Sequence, residues 1–89
     1  MIRPLSVEDK KIYIEMAHEF YSTDAVWHTV PQDHFEKTFN ELIRSDVYAE
    51  GFAFEYNCKV VGYALIAKTF SQEAGGLVVW IEEIYVKPE

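Results

Sequence analysis

The hydrophobic periodicity of this 89-residue chain changes once, after Asp46, from the spacing of an α-helix to that of a β-strand. Helices are therefore expected before Asp46 and strands after it. A short apolar segment, Ile2 to Leu5, precedes the helices, and Pro4 restricts it to an edge or end strand because proline cannot donate to a sheet ladder. The pattern predicts an α+β domain with an antiparallel sheet of about four strands and two N-terminal helices, in the order β-α-α-β-β-β.

Two amphipathic helices are predicted. The first runs roughly from Val7 to Tyr21, and the side chains of Ser6 and Asp9 can satisfy the free N–H groups at its start. The second runs from about Gln32 to Arg44, after Pro31, whose missing N–H costs nothing in a first helical turn. The residues expected on their apolar faces are Ile12, Tyr13, Met16, Ala17 and Phe20 in the first helix, and Phe35, Phe39, Leu42 and Ile43 in the second.

The strands after Asp46 are predicted to form a meander. The alternating segment that ends at Tyr56 and the β-rich run Lys59 to Thr69 are separated by Asn57-Cys58, which indicates a hairpin. Asn57 tolerates the positive φ of a tight turn, whereas Cys58 is a poor substitute for the usual glycine, so the hairpin is better defined than its turn type. A Gly-Gly break then leads to Leu77 to Val86, which is apolar enough to be buried on both faces.

Composition narrows the classes of partner. With 8 Lys and Arg against 15 Asp and Glu, the net charge of -7 disfavours nucleic acid and anionic membrane surfaces. The one cysteine cannot form a disulfide within the chain and has no histidine at ligand spacing, so no metal site is expected. No apolar run approaches the roughly 18 to 20 residues of a membrane span, and the N-terminus has no apolar signal segment. A cytoplasmic protein is predicted.

An acidic pair, Glu82 and Glu83, interrupts the apolar last strand. Because strand side chains alternate, the two carboxylates are expected on opposite faces of the sheet, with at most one in a given cleft. A carboxyl group in apolar surroundings has a raised pKa, which suits a general base that works near neutral pH. The alternative is an edge strand on which both acids are solvated, and the spacing alone favours that alternative.

The ending "WIEEIYVKPE" resembles the fourth strand of the GNAT superfamily of N-acetyltransferases. In that strand, an apolar run with acidic residues leads into Val-x-Pro-Glu just before an Arg-x-x-Gly-x-Gly loop. "IRPLSVED" resembles the family's first strand and helix cap, and "EYNCKVVGYALI" resembles its usual hairpin. The resemblance spans the whole chain and implies that residues 1–89 form a single, partial GNAT domain that stops before the pyrophosphate-binding loop.

The resemblance also implies a mechanism and site residues. An acetyl group would pass directly from acetyl-CoA to a primary amine of a small molecule or peptide, with Glu82 as the base and Glu83 as the second candidate. The backbone of Ile84, Tyr85 and Val86 would bind the pantetheine arm and polarise the thioester carbonyl. The loop that contains Trp27 and His28 would line the acceptor pocket, although Trp27 is equally consistent with core packing and His28 more often has a surface or structural role.

The parts of the GNAT fold that follow the fourth strand in the family lead to further expectations. Without the glycine-rich loop, the 89-residue chain should be inactive alone and should not bind acetyl-CoA tightly. Strand 77–86 would leave an apolar edge exposed, which predicts a homodimer. The alternatives are a non-catalytic half-domain that self-associates or pairs with a complementary chain, and an unrelated small α+β binding domain. Structural roles are expected for Tyr56, Cys58, Tyr63 and Tyr85.

Overall fold

The computed structural model describes residues 1–22 and 30–88, which form two helices and one antiparallel sheet. The sheet has the strand order β1-β2-β3-β4, and every neighbouring pair is antiparallel. The predicted fold class and element order are confirmed. The elements are β1 (Ile2–Pro4), a 3₁₀ turn (Val7–Asp9), α1 (Lys10–Tyr21), α2 (Gln32–Arg44), β2 (Ala49–Tyr56), β3 (Lys59–Ser71) and β4 (Gly76–Val86).

A buried carboxylate fixes the entry to α1. The Asp9 side chain accepts hydrogen bonds from Arg3 at 2.8 and 3.0 Å and from the backbone N–H of Ser6 at 2.8 Å. Arg3 also pairs with Glu55 of β2 at 2.9 Å. The bond from Arg3 is the main reason that the pKa of Asp9 lies below its usual value. The segment Val7–Asp9 is a 3₁₀ turn where a continuous helix was predicted, and the Asp9 N–H bonds the Ser6 carbonyl three residues back.

The helices cover one face of the sheet and form the core with it. Tyr13 lies at the centre, with ring centroids 5.4 Å from Phe39 of α2 and 5.1 Å from Tyr63 of β3. Met16 and Leu65 complete the buried cluster, and Ile12, Leu42 and Ile43 pack around it. The predicted apolar faces of both helices are therefore confirmed. No helix within residues 1–22 and 30–88 is long and apolar enough to cross a membrane.

The β2–β3 hairpin turns through two residues in the left-handed region. Asn57 has φ 53° and Cys58 has φ 63°, as in a type I′ turn, whose twist matches that of the flanking strands. The predicted hairpin is confirmed. Asparagine adopts this conformation more readily than cysteine, so the strain lies mainly at Cys58.

Strand β4 is an edge strand, and the prediction that it is buried on both faces is wrong. Leu77, Trp80 and Ile81 are 65, 62 and 69 % exposed. The strand lies beyond β3 at the end of the sheet, and in the part of the chain that the structure describes helices pack on one face only. Its apolar composition therefore leaves an exposed hydrophobic edge.

Candidate active site

A β-bulge in β4 places both acidic residues at one cavity. Leu65 of β3 pairs with Glu83, but the next residue, Ile66, pairs with Ile81, which leaves Glu82 without a partner. An extra residue of this kind interrupts the alternation of side chains and redirects the strand locally. Glu82 and Glu83 both line the same cavity, so the prediction that alternation separates them is wrong.

The cavity lies between the two helices and strands β2, β3 and β4 of the sheet. Its volume is about 410 Å³, which is in the range of small-molecule sites. The wall formed by α1 and α2 is mainly aromatic and apolar, with Tyr13, Phe35 and Leu42, and it also contains His34. Glu82 and Glu83 of β4 contribute two carboxylates to the lining. The cavity can therefore accept a group that has an apolar body and a positive charge.

The Glu83 carboxylate is held by two tyrosines. The Tyr63 hydroxyl donates a hydrogen bond to one carboxylate oxygen at 2.8 Å, and the Tyr21 hydroxyl, from the last residue of α1, donates one to the other oxygen. Burial is the largest cause that raises the pKa of both tyrosines, and the adjacent Glu83 raises the pKa further. Both hydroxyls therefore remain protonated donors at neutral pH.

The Glu82 carboxylate is in a different environment. Glu82 is exposed to solvent, whereas Glu83 is half-buried. Among the side chains that the structure describes, none makes a hydrogen bond or ion pair with Glu82. The cavity thus contains one carboxylate with fixed partners and one that can bind a ligand.

The backbone of β4 beyond the bulge alternates between bonded and outward-facing residues. The N–H of Lys87 donates to the Val61 carbonyl at 2.8 Å. Because bonded and non-bonded pairs alternate along an antiparallel ladder, Tyr85 bonds to β3, whereas Ile84 and Val86 direct their main-chain groups towards the outer edge.

The side chain of Tyr85 belongs to the helix-covered face. Its hydroxyl donates to Glu19 at 2.9 Å, and its ring meets the Phe20 ring in a T-shaped contact with centroids 6.0 Å apart. The Tyr85 side chain therefore links β4 to α1. Of the three positions whose backbone was predicted to bind the pantetheine arm, Ile84 and Val86 are the ones with outward-facing main-chain groups.

Other site residues were either outside the described residues or missed. Trp27 and His28 lie in the segment 23–29, outside the part that the structure describes. Tyr21, Tyr63 and His34 were not predicted as site residues. The strand register could have revealed Tyr63, because it lies on the same face as Glu83 and diagonal to it, but the contact of Tyr21 crosses 62 positions in sequence and has no local signal.

Comparison with solved structures identifies the fold. An integron cassette protein from the mobile metagenome of Cole Harbour Salt Marsh superposes with a TM-score of 0.85 and 23% identity over 98% of this chain and 56% of its own. A possible acetyltransferase from Clostridium difficile 630 superposes with a TM-score of 0.81 and 18% identity, over 98% of this chain and 57% of its own. A predicted acetyltransferase from Clostridium acetobutylicum, solved with acetyl-CoA, superposes with a TM-score of 0.74 and 14% identity, over 99% of this chain and 60% of its own. Neither a protein-family model nor a curated protein matches the sequence.

These similarities define the class of fold. The described part of the chain has the architecture of the front half of a GNAT fold, with two helices on an antiparallel sheet whose last strand contains the acidic pair. The chain spans a little over half the length of each of these structures.

Proposed function

We propose that these residues form the front half of an N-acetyltransferase that transfers an acetyl group from acetyl-CoA to a primary amine by direct attack. The observation that carries the proposal is the bulge, because it turns Glu82 towards the cavity that Glu83 also lines. The fold of the similar acetyltransferases supports it, and one of them was solved with acetyl-CoA.

In the proposed reaction, the amine nitrogen attacks the thioester carbon and the carbon–sulfur bond breaks. Before the attack, Glu82 accepts one proton from the ammonium group, directly or through water, which frees the nitrogen lone pair. The proton that the acylated nitrogen then loses passes through solvent to the leaving thiolate to give CoA. The outward N–H groups of Ile84 and Val86 are suited to bind the pantetheine arm and the thioester oxygen, which needs fixed donors rather than a particular side chain.

The acceptor is proposed to be a cationic amine of a small molecule or peptide. Two carboxylates in the lining of the cavity favour an ammonium group, and the aromatic residues of the lining favour an apolar body next to it. The net charge of -7 raises the local concentration of cations. The resemblance to the family assigns Trp27 and His28 to the same acceptor pocket.

The 89 residues alone are proposed to be inactive, because the sequence contains no Arg-x-x-Gly-x-Gly loop to bind the pyrophosphate. The intact product of the gene should acetylate a panel of amines with radiolabelled acetyl-CoA. Glu82→Gln should lower its kcat about 100-fold or more, since general bases contribute on that order. Glu73→Gln, at an exposed turn, is the matched control.

Three results would contradict these proposals. If the intact product acetylates none of the amines, or if Glu82→Gln retains the unaltered rate across pH, the proposed mechanism is wrong. Calorimetry tests the statement about the isolated chain, and tight binding of acetyl-CoA to residues 1–89 would overturn it.

A second candidate function is a non-catalytic half-domain that self-associates. The exposed edge of β4 favours it, because Leu77, Ile81 and Val86 lie on a strand that has no outer neighbour among the described residues. Two copies would pair this strand about a two-fold axis, and the same surface could instead accept a complementary chain. The net charge opposes such pairing between identical chains.

A further inference from the structure

The acidic pair in the cavity consists of two carboxylates with unequal freedom. We infer that Glu83 is a positioning residue, clamped by Tyr21 and Tyr63, and that it holds the bulge so that Glu82 alone is available to contact the amine. The inference rests on the proposed function and assigns separate roles within it.

The clamp joins three elements of the fold. Tyr21 ends α1, Tyr63 lies in the middle of β3, and Glu83 follows the bulge in β4. Each tyrosine donates to a different oxygen of the carboxylate, so both oxygens already accept a hydrogen bond. A carboxylate bound in this way is fixed in position and orientation.

The two tyrosines are themselves fixed. Tyr63 is fully buried, with its ring 5.1 Å from that of Tyr13 in the core. The ring of Tyr21 lies 5.4 Å from Phe35 and 5.0 Å from Phe20. Neither hydroxyl can follow Glu83 if that carboxylate moves towards a ligand, so movement would break hydrogen bonds to a charged group.

Glu82 has the opposite properties. It is the extra residue of the bulge, it is exposed, and among the described side chains none donates to it. Its carboxylate can therefore approach an amine without losing an existing hydrogen bond. Because Glu83 is the next residue, anchoring Glu83 also fixes the backbone that directs Glu82.

The first experiment measures how fast each carboxylate of the 89-residue chain reacts with a carboxyl reagent. A carbodiimide couples glycine ethyl ester, an amine, to accessible carboxyl groups, and tandem mass spectrometry resolves Glu82 from Glu83. Glu82 should react about tenfold faster than Glu83, because the hydrogen bonds of Glu83 oppose its release. In the Tyr21→Phe/Tyr63→Phe double variant, the two rates should become similar.

The phenylalanine variants preserve ring packing, and far-UV circular dichroism checks that they fold. Glu73 serves as an internal standard, because it is exposed and remote from the clamp. Equal reactivity of Glu82 and Glu83 in the unaltered chain would overturn the inference. So would a double variant in which the slow rate of Glu83 persists.

The second experiment separates kcat from KM in the intact gene product. Glu82→Gln should lower kcat about 100-fold or more, because it removes the base. Glu83→Gln should lower kcat only about tenfold, since its amide oxygen can still accept from one tyrosine, and Glu83→Ala should lower it further. A kcat for Glu83→Gln that is well above that of Glu83→Ala, with KM near that of the unaltered protein, would mark a positioning effect.

The outcomes distinguish this inference from the proposed function. If Glu83→Gln abolishes activity while Glu82→Gln retains it, the function stands and the assignment of roles is wrong. If the intact product acetylates no amine, the function is wrong, and the labelling experiment alone decides whether Glu83 is clamped and Glu82 is available.

Discussion

Gly62 is the position where a single methyl group should disturb β4 most. A Cβ at this residue would lie 2.4 Å from the Tyr85 carbonyl oxygen and 3.1 Å from the Val86 Cα. Both are backbone atoms of β4, so Gly62→Ala can be accommodated only by displacing that strand from β3. The displacement would also move Ile84 and Val86, the proposed main-chain contacts of the pantetheine arm.

Overpacking of this kind lowers the free energy of unfolding by about 1 to 3 kcal/mol. Because the clash is with backbone atoms, a loss of about 3 kcal/mol is expected for Gly62→Ala. The chain itself should have an unfolding free energy of about 4 to 13 kcal/mol for its length. The loss is therefore large enough to measure by urea unfolding, followed by far-UV circular dichroism at one fixed protein concentration.

Two other glycines provide matched controls. At Gly51 the new methyl would lie 2.5 Å from Leu5 Cδ1, the end of a flexible side chain, so a loss of about 1 kcal/mol is expected. At Gly76 it would meet no atom within 4 Å, and a change within about 0.5 kcal/mol is expected. If Gly62→Ala is as stable as Gly76→Ala, the close approach of β3 to β4 is not as tight as described.

Two further predictions concern the buried charge and the exposed edge. The folded-state pKa of Asp9 is lowered, chiefly by its bond from Arg3, so its stabilisation is complete above the unfolded pKa of about 3.9 and is lost as pH falls towards the folded value. Asp9→Asn should therefore cost about 1.5 to 3 kcal/mol at pH 7 and less in acid, and an equal loss in urea unfolding at pH 7 and in acid would contradict this. Light scattering at high micromolar concentration should detect a dimer that salt strengthens by screening the net negative charge. Ile81→Lys should disrupt that dimer and Val7→Lys, at a similarly exposed remote site, should not, whereas a stable monomer of the unaltered chain would argue against pairing through β4.

Local sequence signals predicted most of the fold. The period of apolar residues gave α2 the same bounds that the structure has, Gln32–Arg44, and Asn57-Cys58 correctly indicated the hairpin. Each of these features depends on residues a few positions apart. The burial of β4 was predicted wrongly because its apolar composition cannot reveal whether another element covers it.

The candidate site was less predictable, because its geometry depends on pairing between distant segments. The composition of β4 identified the acidic pair, but the bulge that brings Glu82 and Glu83 to one cavity is a property of the register between β3 and β4. The contact from Tyr21 likewise requires α1 to end beside β4. No residue type near either position indicates these arrangements in advance.

The bulge also has an evolutionary consequence. Removing Glu82 would make the pairs Leu65 with Glu83 and Ile66 with Ile81 consecutive, so the ladder between β3 and β4 would be unbroken. Every other side chain of β4 would keep its face, and the tyrosine clamp on Glu83 would keep its partners. A one-codon insertion or deletion at this point could therefore add or remove the unclamped carboxylate of the cavity while the same sheet is inherited.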